Sequence, residues 1–336
     1  MIIGNPNKFA VFLDRIECWN TNHEDENSFC VFFINGKIIP NYAENSIHSI
    51  VLSNIISFLE NIPENPNVFE MKSNDAVKAL YNFYNPRDWE QNVDIDADYR
   101  YVLDCSELID NNYFIFGVKN GTEIRLLSVR PEYDREESVH ILDTVECSEI
   151  IFSKDEVSDL INKLKNNINI KSEKIIGNPY KFAIVRDIVP EWDNFENNNQ
   201  GFVGLSVYGV VYPDYSVQTD IRKCLLKLTD SLKKIKYNED IVNMDTVNAY
   251  RTLYNEVYPE DETKKSDVGY LVSALNEPDK KNNVFIVKGN DKIRILSSGF
   301  MLNEAIQRFT EDEEAIQDVV LEEGEFEDIL CRIEKS

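Results

Sequence analysis

Two nearly identical nonapeptides constrain the fold of this chain more than any other feature. Ile2 to Ala10 reads IIGNPNKFA and Ile175 to Ala183 reads IIGNPYKFA, with Asn7 against Tyr180 as the single difference. Such agreement at a separation of 173 residues indicates a duplicated unit. We therefore expect two copies of one domain, each opening with this motif.

The alignment of the two copies extends far beyond the motif. At the same offset it pairs Asp14 with Asp187, Trp19 with Trp192, Gly36 with Gly209, Pro40 with Pro213 and Tyr42 with Tyr215. The second copy then loses four residues, so that EIRLLS at 123–128 pairs with KIRILS at 292–297. We predict domains at residues 1–168 and 174–336, joined near the segment NNINIKSEK at 166–174.

The pattern in each copy predicts an α+β domain, with a mostly antiparallel sheet and about three helices. Segments rich in Phe, Val and Ile follow the motif and predict a first strand. Asn35-Gly36 predicts a hairpin turn, whereas Tyr208-Gly209 in the second copy leaves either a turn or a glycine bulge. Asn120-Gly121 and Gly289-Asn290 predict two further hairpin turns, because Gly and Asn tolerate positive φ best.

Helical periodicity begins after Ser46 in the first copy and after Thr219 in the second, so we predict these two residues as N-caps. A second helix is predicted at 73–84 and at 246–258, where a proline follows in each copy. Each copy is expected to close with a short strand and a helix. In the first copy, residues 153–156 fit a capping box at the start of that helix.

Acidic residues dominate both copies. The chain has 35 Lys and Arg against 60 Asp and Glu, a formal net charge of −25 at pH 7. An anionic surface disfavours nucleic acid and anionic membranes and favours basic partners. No apolar run approaches the roughly 20 residues that cross a bilayer, and Met1 leads into a Gly-Asn-Pro turn. We therefore expect a cytoplasmic protein that binds neither nucleic acid nor membrane.

Residue types that carry disulfides, metals or acid–base catalysis form no recognisable pattern. The six cysteines make no C-x-x-C pair and are expected to be reduced thiols, most of them packing as small apolar residues. His23, His48 and His140 have no metal-type spacing and do not recur in the other copy. We expect these histidines at the surface or at the boundary of the core.

A run of aspartates, Asp94, Asp96 and Asp98, resembles the start of a calcium loop. The sixth position of that template is Tyr99 instead of Gly, and the twelfth is Cys105 instead of Glu. Glycine-rich phosphate loops and the nucleophile-elbow motif do not occur in the sequence, which has 12 Gly in all. We therefore predict no metal, no cofactor and no enzymatic activity.

Two residue types recur in both copies at positions of interest. Trp19 and Trp192 follow the first strand, and we favour a role in closing the edge of the core over a role in recognition. Arg125 and Arg294 lie inside predicted strands. An arginine there usually pairs with a carboxylate and fixes a loop; the alternative is a polar contact with a partner.

Each half resembles the immunity protein 42 family of bacterial polymorphic toxin systems. The resemblance rests on the opening IIGNPxKFA, the strand after it, a Trp ten residues beyond Phe9, the segment FFINGKIIP and a later strand Arg. It covers both copies almost end to end, although LSVYGVVYPDY in the second copy lacks the Asn-Gly turn. The Trp and Arg of the family map to Trp19 and Trp192 and to Arg125 and Arg294.

The resemblance implies a protein that binds and neutralises a cognate toxin. We expect a non-catalytic inhibitor that occludes a basic toxin, and we favour a nuclease because such enzymes hold phosphates in positive clefts. The candidate toxin-binding residues are Glu90, Asp94, Asp96 and Asp98, in the loop that differs most in length between the copies. The alternative is an acidic structural or interaction module that binds another basic protein, with no toxin involved.

Overall fold

The β-rich opening of the first copy forms an antiparallel sheet, and the periodic segment after it forms the helix that covers this sheet. The computed structural model describes residues 1–20, 27–86, 96–134, 139–143, 145–167, 174–192, 199–261, 263–272, 281–311 and 315–335. The chain divides into two compact units, Met1–Pro40 with Glu44–Ser172 and Asn41–Ala43 with Glu173–Ser336. The predicted linker at 166–174 lies largely outside the described residues.

The first unit contains strands in two main sheets and helices on their faces. Its strands are β1 (Ile2–Gly4), β2 (Phe9–Arg15), β3 (Asn27–Ile34), β4 (Lys37–Ile47), β5 (Phe114–Asn120), β6 (Glu123–Val129), β7 (Glu132–Asp134), β8 (Val139–Ile141) and β9 (Ser148–Ser153). Its helices are α1 (His48–Asn61), α2 (Pro66–Phe69), α3 (Ser73–Tyr84), α4 (Ser106–Ile109) and α5 (Lys154–Asn166). Strands β1 to β4 pair in chain order, β5-β6-β9 form a second sheet, and β7 pairs with β8, all antiparallel.

The second unit repeats this plan. Its strands are β10 (Ile175–Asn178), β11 (Phe182–Ile188), β12 (Gln200–Val207), β13 (Val210–Tyr212), β14 (Thr219–Asp220), β15 (Asn283–Lys288), β16 (Lys292–Ser298) and β17 (Gln317–Glu322). Its helices are α6 (Ile221–Lys233), α7 (Glu239–Val242), α8 (Thr246–Val257), α9 (Leu302–Glu311) and α10 (Glu323–Glu334). The antiparallel pairings β10-β11-β12-β13 and β15-β16-β17 match those of the first unit. The predicted α+β class and the tandem duplication are therefore confirmed.

The repeated opening motif forms a tight turn between the first two strands of each unit. Gly4 has a φ of +106°, and Gly177 has a φ of +109°. A Cβ atom would lie 2.5 Å from the Phe9 carbonyl oxygen at Gly4 and 2.4 Å from that of Phe182 at Gly177. Only glycine fits this backbone conformation and this close approach. The two copies therefore share the motif for a structural reason.

The hairpin turns at 35–36 and 208–209 lie where the sequence predicts a turn, whereas the turns of the later hairpins are displaced. Asn35-Gly36 forms a turn with φ of +50° and +82°, and Tyr208-Gly209 also forms a turn, with φ of +49° and +86°. The prediction for the later hairpins was wrong by one residue. Asn120 still pairs with Glu123, so the turn is Gly121-Thr122. In the second unit the Gly289 N–H donates to the Lys292 carbonyl oxygen, so the turn residues are Asn290 and Asp291.

The predicted N-caps of the first long helices were also wrong by one residue. Ser46 belongs to β4, and Ile47 is the N-cap of α1, without a side-chain hydrogen bond. Asp220 caps α6 by accepting from the Lys223 N–H, while Thr219 belongs to β14. The sheet pairing extends each strand to the last residue before the helix, so the cap moves forward. The predicted capping box at 153–156 is present at the start of α5.

The sheet β5-β6-β9 has a core on each face. Leu126 belongs to the cluster that α1 and α5 cover, and Leu127 belongs to the cluster that α3 covers.

His48 departs from the prediction, because it is buried at the start of α1. Its Nδ1 lies 3.1 Å from the Ser28 hydroxyl, which provides a polar partner inside the core.

The two units differ most clearly between their last strands. The first unit has the β7–β8 hairpin after β6, whereas the second unit has the helix α9 after β16. The sequence pattern predicts neither element. Since the strands on either side keep the same pairing in both units, this connecting segment is free to vary in structure without changing the shared fold.

Candidate functional site

Arg125 on β6 joins the second sheet to the segment between α2 and α3. Its Nε donates to Glu149 Oε1 at 3.0 Å and its Nη2 donates to Oε2 at 2.9 Å. Its Nη1 donates to the carbonyl oxygens of Phe69 at 2.6 Å and of Met71 at 2.7 Å. Burial raises the pKa of Glu149, but the hydrogen bonds from Arg125 and Ser73 outweigh this effect and leave the pKa below its ordinary value.

Arg294 on β16 makes the same arrangement in the second unit. Its Nε and Nη2 donate to the two carboxylate oxygens of Asp318 at 2.9 and 2.6 Å. Its Nη1 donates to the carbonyl oxygens of Ile241, Val242 and Met244. The side chains of Arg125 and Arg294 are each 5% exposed. They fix loops inside their own units and present no surface to a partner, which favours the first of the two interpretations.

The two tryptophans lie in 3-10 turns, Glu17–Trp19 and Pro190–Trp192, directly after the second strand of each unit. The Trp19 carbonyl accepts from Asn27 Nδ2 at 2.9 Å, and the Trp192 carbonyl accepts from Gln218 Nε2 at 2.8 Å. Trp192 is buried and Trp19 is half-buried. Trp192 is therefore enclosed within its own unit, whereas Trp19 keeps part of its surface open to solvent.

The four acidic candidates fall into different environments. Glu90 and Asp94 lie outside the described residues, and Asp96 is exposed. Asp98 caps the 3-10 turn Tyr99–Tyr101, accepting from the Arg100 N–H at 3.2 Å, and its carboxylate also binds the Arg100 guanidinium at 2.7 Å. The hydrogen bond from Arg100 lowers the pKa of Asp98.

Asp98 has a direct counterpart in the second unit. Asp267 caps the turn Val268–Tyr270 by accepting from the Gly269 N–H, and it forms an ion pair with Lys236. A carboxylate that both copies use as a cap belongs to the shared fold. Among the described candidates, Asp96 therefore remains the one available for a partner.

The first unit contains a row of aromatic side chains that the sequence pattern does not predict. Tyr99 contacts Tyr84, Tyr84 contacts Tyr81, Tyr81 contacts His140, and His140 contacts Tyr133. We call these five residues the aromatic strip. Comparison of the copies gives a sequence signal for it, because Tyr84 faces Val257 and Tyr99 faces Val268 in the alignment.

Within the ranges that the structure describes, no group of three His, Cys, Asp or Glu side chains is placed to hold a metal ion. His23 lies outside those ranges. His140 is half-buried and contacts Tyr81 and Asn112. None of the helices in the described part of the chain is long and apolar enough to cross a membrane.

Each of the two repeats corresponds to the domain of a known protein family. A family model described as immunity protein 42 matches residues 1–167 and matches again at residues 175–336. The chain belongs to the immunity protein 42 family. It is thus a bacterial toxin immunity protein, built from two tandem copies of the family domain.

Comparison with solved structures finds the crystal structure of CdiI from Burkholderia dolosa. It is 22% identical to this immunity protein, with a TM-score of 0.41, and covers 50% of this chain and 99% of its own length. No curated protein matches the chain. In this immunity 42 protein, the Arg and Trp positions that the resemblance singles out are all engaged within their own units.

Proposed function

We propose that this immunity protein neutralises its cognate toxin by binding over the toxin's active surface, without catalysing a reaction, and that the toxin is a cationic nuclease. The match of the immunity protein 42 model to both copies carries the proposal. The formal net charge of −25 supports a basic partner. Nucleases hold the phosphates of their substrates with Lys and Arg, so an acidic inhibitor can compete for the same surface.

The charge also fits the kinetic demand on an immunity protein, which must capture its toxin before a few molecules cause damage. Complementary charge steers diffusional encounter and raises association rate constants to about 10⁸–10⁹ M⁻¹s⁻¹ at low ionic strength. Exposed Asp and Glu side chains supply this long-range attraction. Exposed aromatic side chains supply short-range affinity, because interface energy concentrates in a few buried anchors.

Growth rescue tests the proposal. A candidate toxin domain, taken from a toxin gene found to adjoin the gene for this chain, is co-expressed with the chain in a heterologous bacterium, and the same toxin with its active site inactivated serves as the control. Rescue is expected, and failure of the intact chain to rescue growth would contradict the immunity function. Such a failure would favour the acidic interaction module instead.

Titration of the purified toxin separates occlusion from catalytic inactivation. If the chain occludes the active surface, inhibition of nucleic-acid cleavage reaches its end point at a fixed molar ratio. Inhibition by a small fraction of a molar equivalent would show turnover and reject occlusion. A toxin without nuclease activity that the chain still inhibits would reject the nuclease assignment alone.

A further inference from the structure

The aromatic strip is continuous from one exposed tyrosine to another. The Tyr99 and Tyr84 ring centroids are 5.8 Å apart, and those of Tyr84 and Tyr81 are 6.0 Å apart. His140 continues the row, at 5.7 Å from Tyr81 and 4.9 Å from Tyr133. Three separate elements, α3, the 3-10 turn Tyr99–Tyr101 and the β7–β8 hairpin, therefore contribute rings to one chain of contacts, in which Tyr81 is buried.

The two ends of the strip are open to solvent. Tyr99 is 61% exposed and Tyr133 is 45% exposed. The rings between them rest on Phe114, which is 1% exposed and lies 5.6 Å from both Tyr81 and Tyr84. The Tyr81 hydroxyl lies 2.8 Å from His140 Nδ1, and His140 Nε2 lies 2.9 Å from Asn112 Oδ1. These contacts hold the strip in place before any partner arrives, which lowers the entropy cost of binding.

The second unit shows that the fold does not require this strip. Val257 and Val268 stand in place of Tyr84 and Tyr99, and α9 stands in place of the β7–β8 hairpin that carries Tyr133. The sheets and the arginine contacts are nevertheless the same in both units. Tyr254 of the second unit stands in place of Tyr81 and also contacts two tyrosines, so it is the exposed ends of the strip that are particular to the first unit. The fold does not need these exposed rings, and exposed aromatic side chains are typical of binding surfaces.

The charges around the strip are mainly negative. Asp96 and Glu132 are exposed, and Asp134 adjoins Tyr133 on β7. Arg100, next to Tyr99, is bound to Asp98. Arg130, three residues before Tyr133, is exposed, and its guanidinium lies 4.9 Å from the centre of the Tyr113 ring. Burial is the largest cause of the raised pKa of Tyr84, and neighbouring Tyr81, Tyr99 and Asp104 raise it further. Aromatic anchors inside an acidic rim fit a partner that presents Lys or Arg side chains, because these cations bind both carboxylates and ring faces.

We propose that the aromatic strip is the surface through which the first unit binds its cationic toxin. This inference rests on the proposed immunity function. Tyr99 and Tyr133 are the anchors that the toxin buries, and Asp96, Glu132 and Asp134 form the rim that attracts its basic residues. The second unit, which lacks the strip, does not make this contact.

Binding of the candidate toxin domain used for growth rescue tests the strip in the full-length chain. Tyr99→Val introduces the residue that the second unit has naturally, and it is combined with Tyr133→Ala. Tyr237→Ala is the matched control, since Tyr237 is 59% exposed on the second unit. We expect the Tyr99→Val/Tyr133→Ala variant to raise the dissociation constant about 10-fold or more, and the control to leave it unchanged.

The outcomes separate the two proposals. If the unaltered chain neither binds the toxin nor rescues growth, the immunity function fails and the strip assignment fails with it. If the unaltered chain binds and rescues but the Tyr99→Val/Tyr133→Ala variant binds equally well, only the strip is rejected. If only the Tyr237→Ala variant binds more weakly, the interface lies on the second unit and the strip assignment is also rejected.

A second measurement does not depend on the folding of any variant. Oxidative footprinting of the unaltered chain, alone and with saturating toxin, reports the accessibility of each tyrosine ring. Tyr99 and Tyr133 are expected to become protected in the complex, while Tyr237 keeps its reactivity. Unchanged labelling of Tyr99 and Tyr133 in a complex that inhibits the toxin would overturn the assignment.

Discussion

Arg125 on β6 and Glu149 on β9 are diagonal neighbours, since Arg125 pairs with Ile151 and Glu149 pairs with Leu127, and they form two parallel hydrogen bonds, at 3.0 and 2.9 Å. In the second unit Arg294 forms the same pair with Asp318, whose side chain is one methylene shorter. In both cases the other guanidinium nitrogen binds backbone carbonyls of the segment before the next helix. The arginine of this contact is thus the same in both units, whereas the carboxylate is Glu in one and Asp in the other.

Arg125→Ala is expected to destabilise the chain. The substitution leaves Glu149 with Ser73 in place of three donors and removes the Arg125 donor from two carbonyl groups, and breaking a buried pair costs about 3 kcal/mol in typical cases. Chemical denaturation, followed by circular dichroism, measures the change in unfolding free energy. Lys163→Ala is the control, because its pair with Asp159 is exposed and contributes little. Equal effects of the two substitutions would show that the Arg125 contacts do not stabilise the fold.

Gly4→Ala is expected to destabilise the first unit, because its Cβ would meet the Phe9 carbonyl oxygen at 2.5 Å and its φ is +106°. A loss of about 1–3 kcal/mol is expected for such a strained position. Gly324→Ala in α10 is the opposite control, since no atom lies within 4 Å of its Cβ. That substitution is expected to stabilise the helix by about 0.5–1 kcal/mol. Thermal unfolding of both variants measures whether Gly4→Ala lowers and Gly324→Ala raises the stability of the chain.

Glu156 is expected to make stability depend on acidic pH. The hydrogen bond from Lys8 is the largest cause that lowers the pKa of Glu156 from its ordinary 4.5 to about 2. Because the folded pKa is depressed, this stabilisation is fully present above pH 4.5 and is lost as the pH falls through 2. Glu156→Gln is expected to flatten the unfolding free energy over that window.

A titration of the Glu156 carboxyl resonance by NMR checks the cause. Lys8→Met removes the largest contribution, so the pKa of Glu156 is expected to rise toward its ordinary value. The second unit offers a parallel case, since the hydrogen bond from Lys181 lowers the pKa of Glu325. A Glu156 pKa that stays near 2 in Lys8→Met would contradict this account.

Charge reversal in the loop before the turn Tyr99–Tyr101 is expected to slow association with the toxin. Asp94→Lys/Asp96→Lys reduces the local negative field, so the association rate constant falls and depends less on salt. Asp98 is left intact because it caps the turn. Glu327→Lys/Asp328→Lys on the exposed face of α10 makes the same change in net charge far along the chain. Stopped-flow association at several salt concentrations compares the two variants, and identical rates would exclude a special role for the loop.

Local sequence patterns predicted most elements correctly and their ends less well. The Asn35-Gly36 turn and the helices beginning at Ser73 and Thr246 follow from residue preferences that act over a few positions. The later turns and the N-caps were displaced by one residue, because strand pairing extends β4 and β5 to their last possible residue. That pairing involves a neighbouring strand and is not visible in the local pattern.

The candidate site was predicted less completely. The pattern singled out Arg125 and Arg294 as strand residues that pair with carboxylates, and the structure supplies the partners Glu149 and Asp318. The divergence of the acidic loop between the copies predicts a recognition role, yet Asp98 in this loop is a cap that both copies share. His48, expected near the surface, is buried beside Ser28.

The sequence by itself determined the duplication, the α+β class, the family and the net negative charge, because these depend on residue identity and on spacing along the chain. Only the tertiary structure brought Tyr99, from a turn, and Tyr133, from a later hairpin, into one chain of ring contacts through Tyr84, Tyr81 and His140. Contacts between residues so far apart depend on how the sheet and helices pack. No periodicity of 2 or 3.6 residues encodes them.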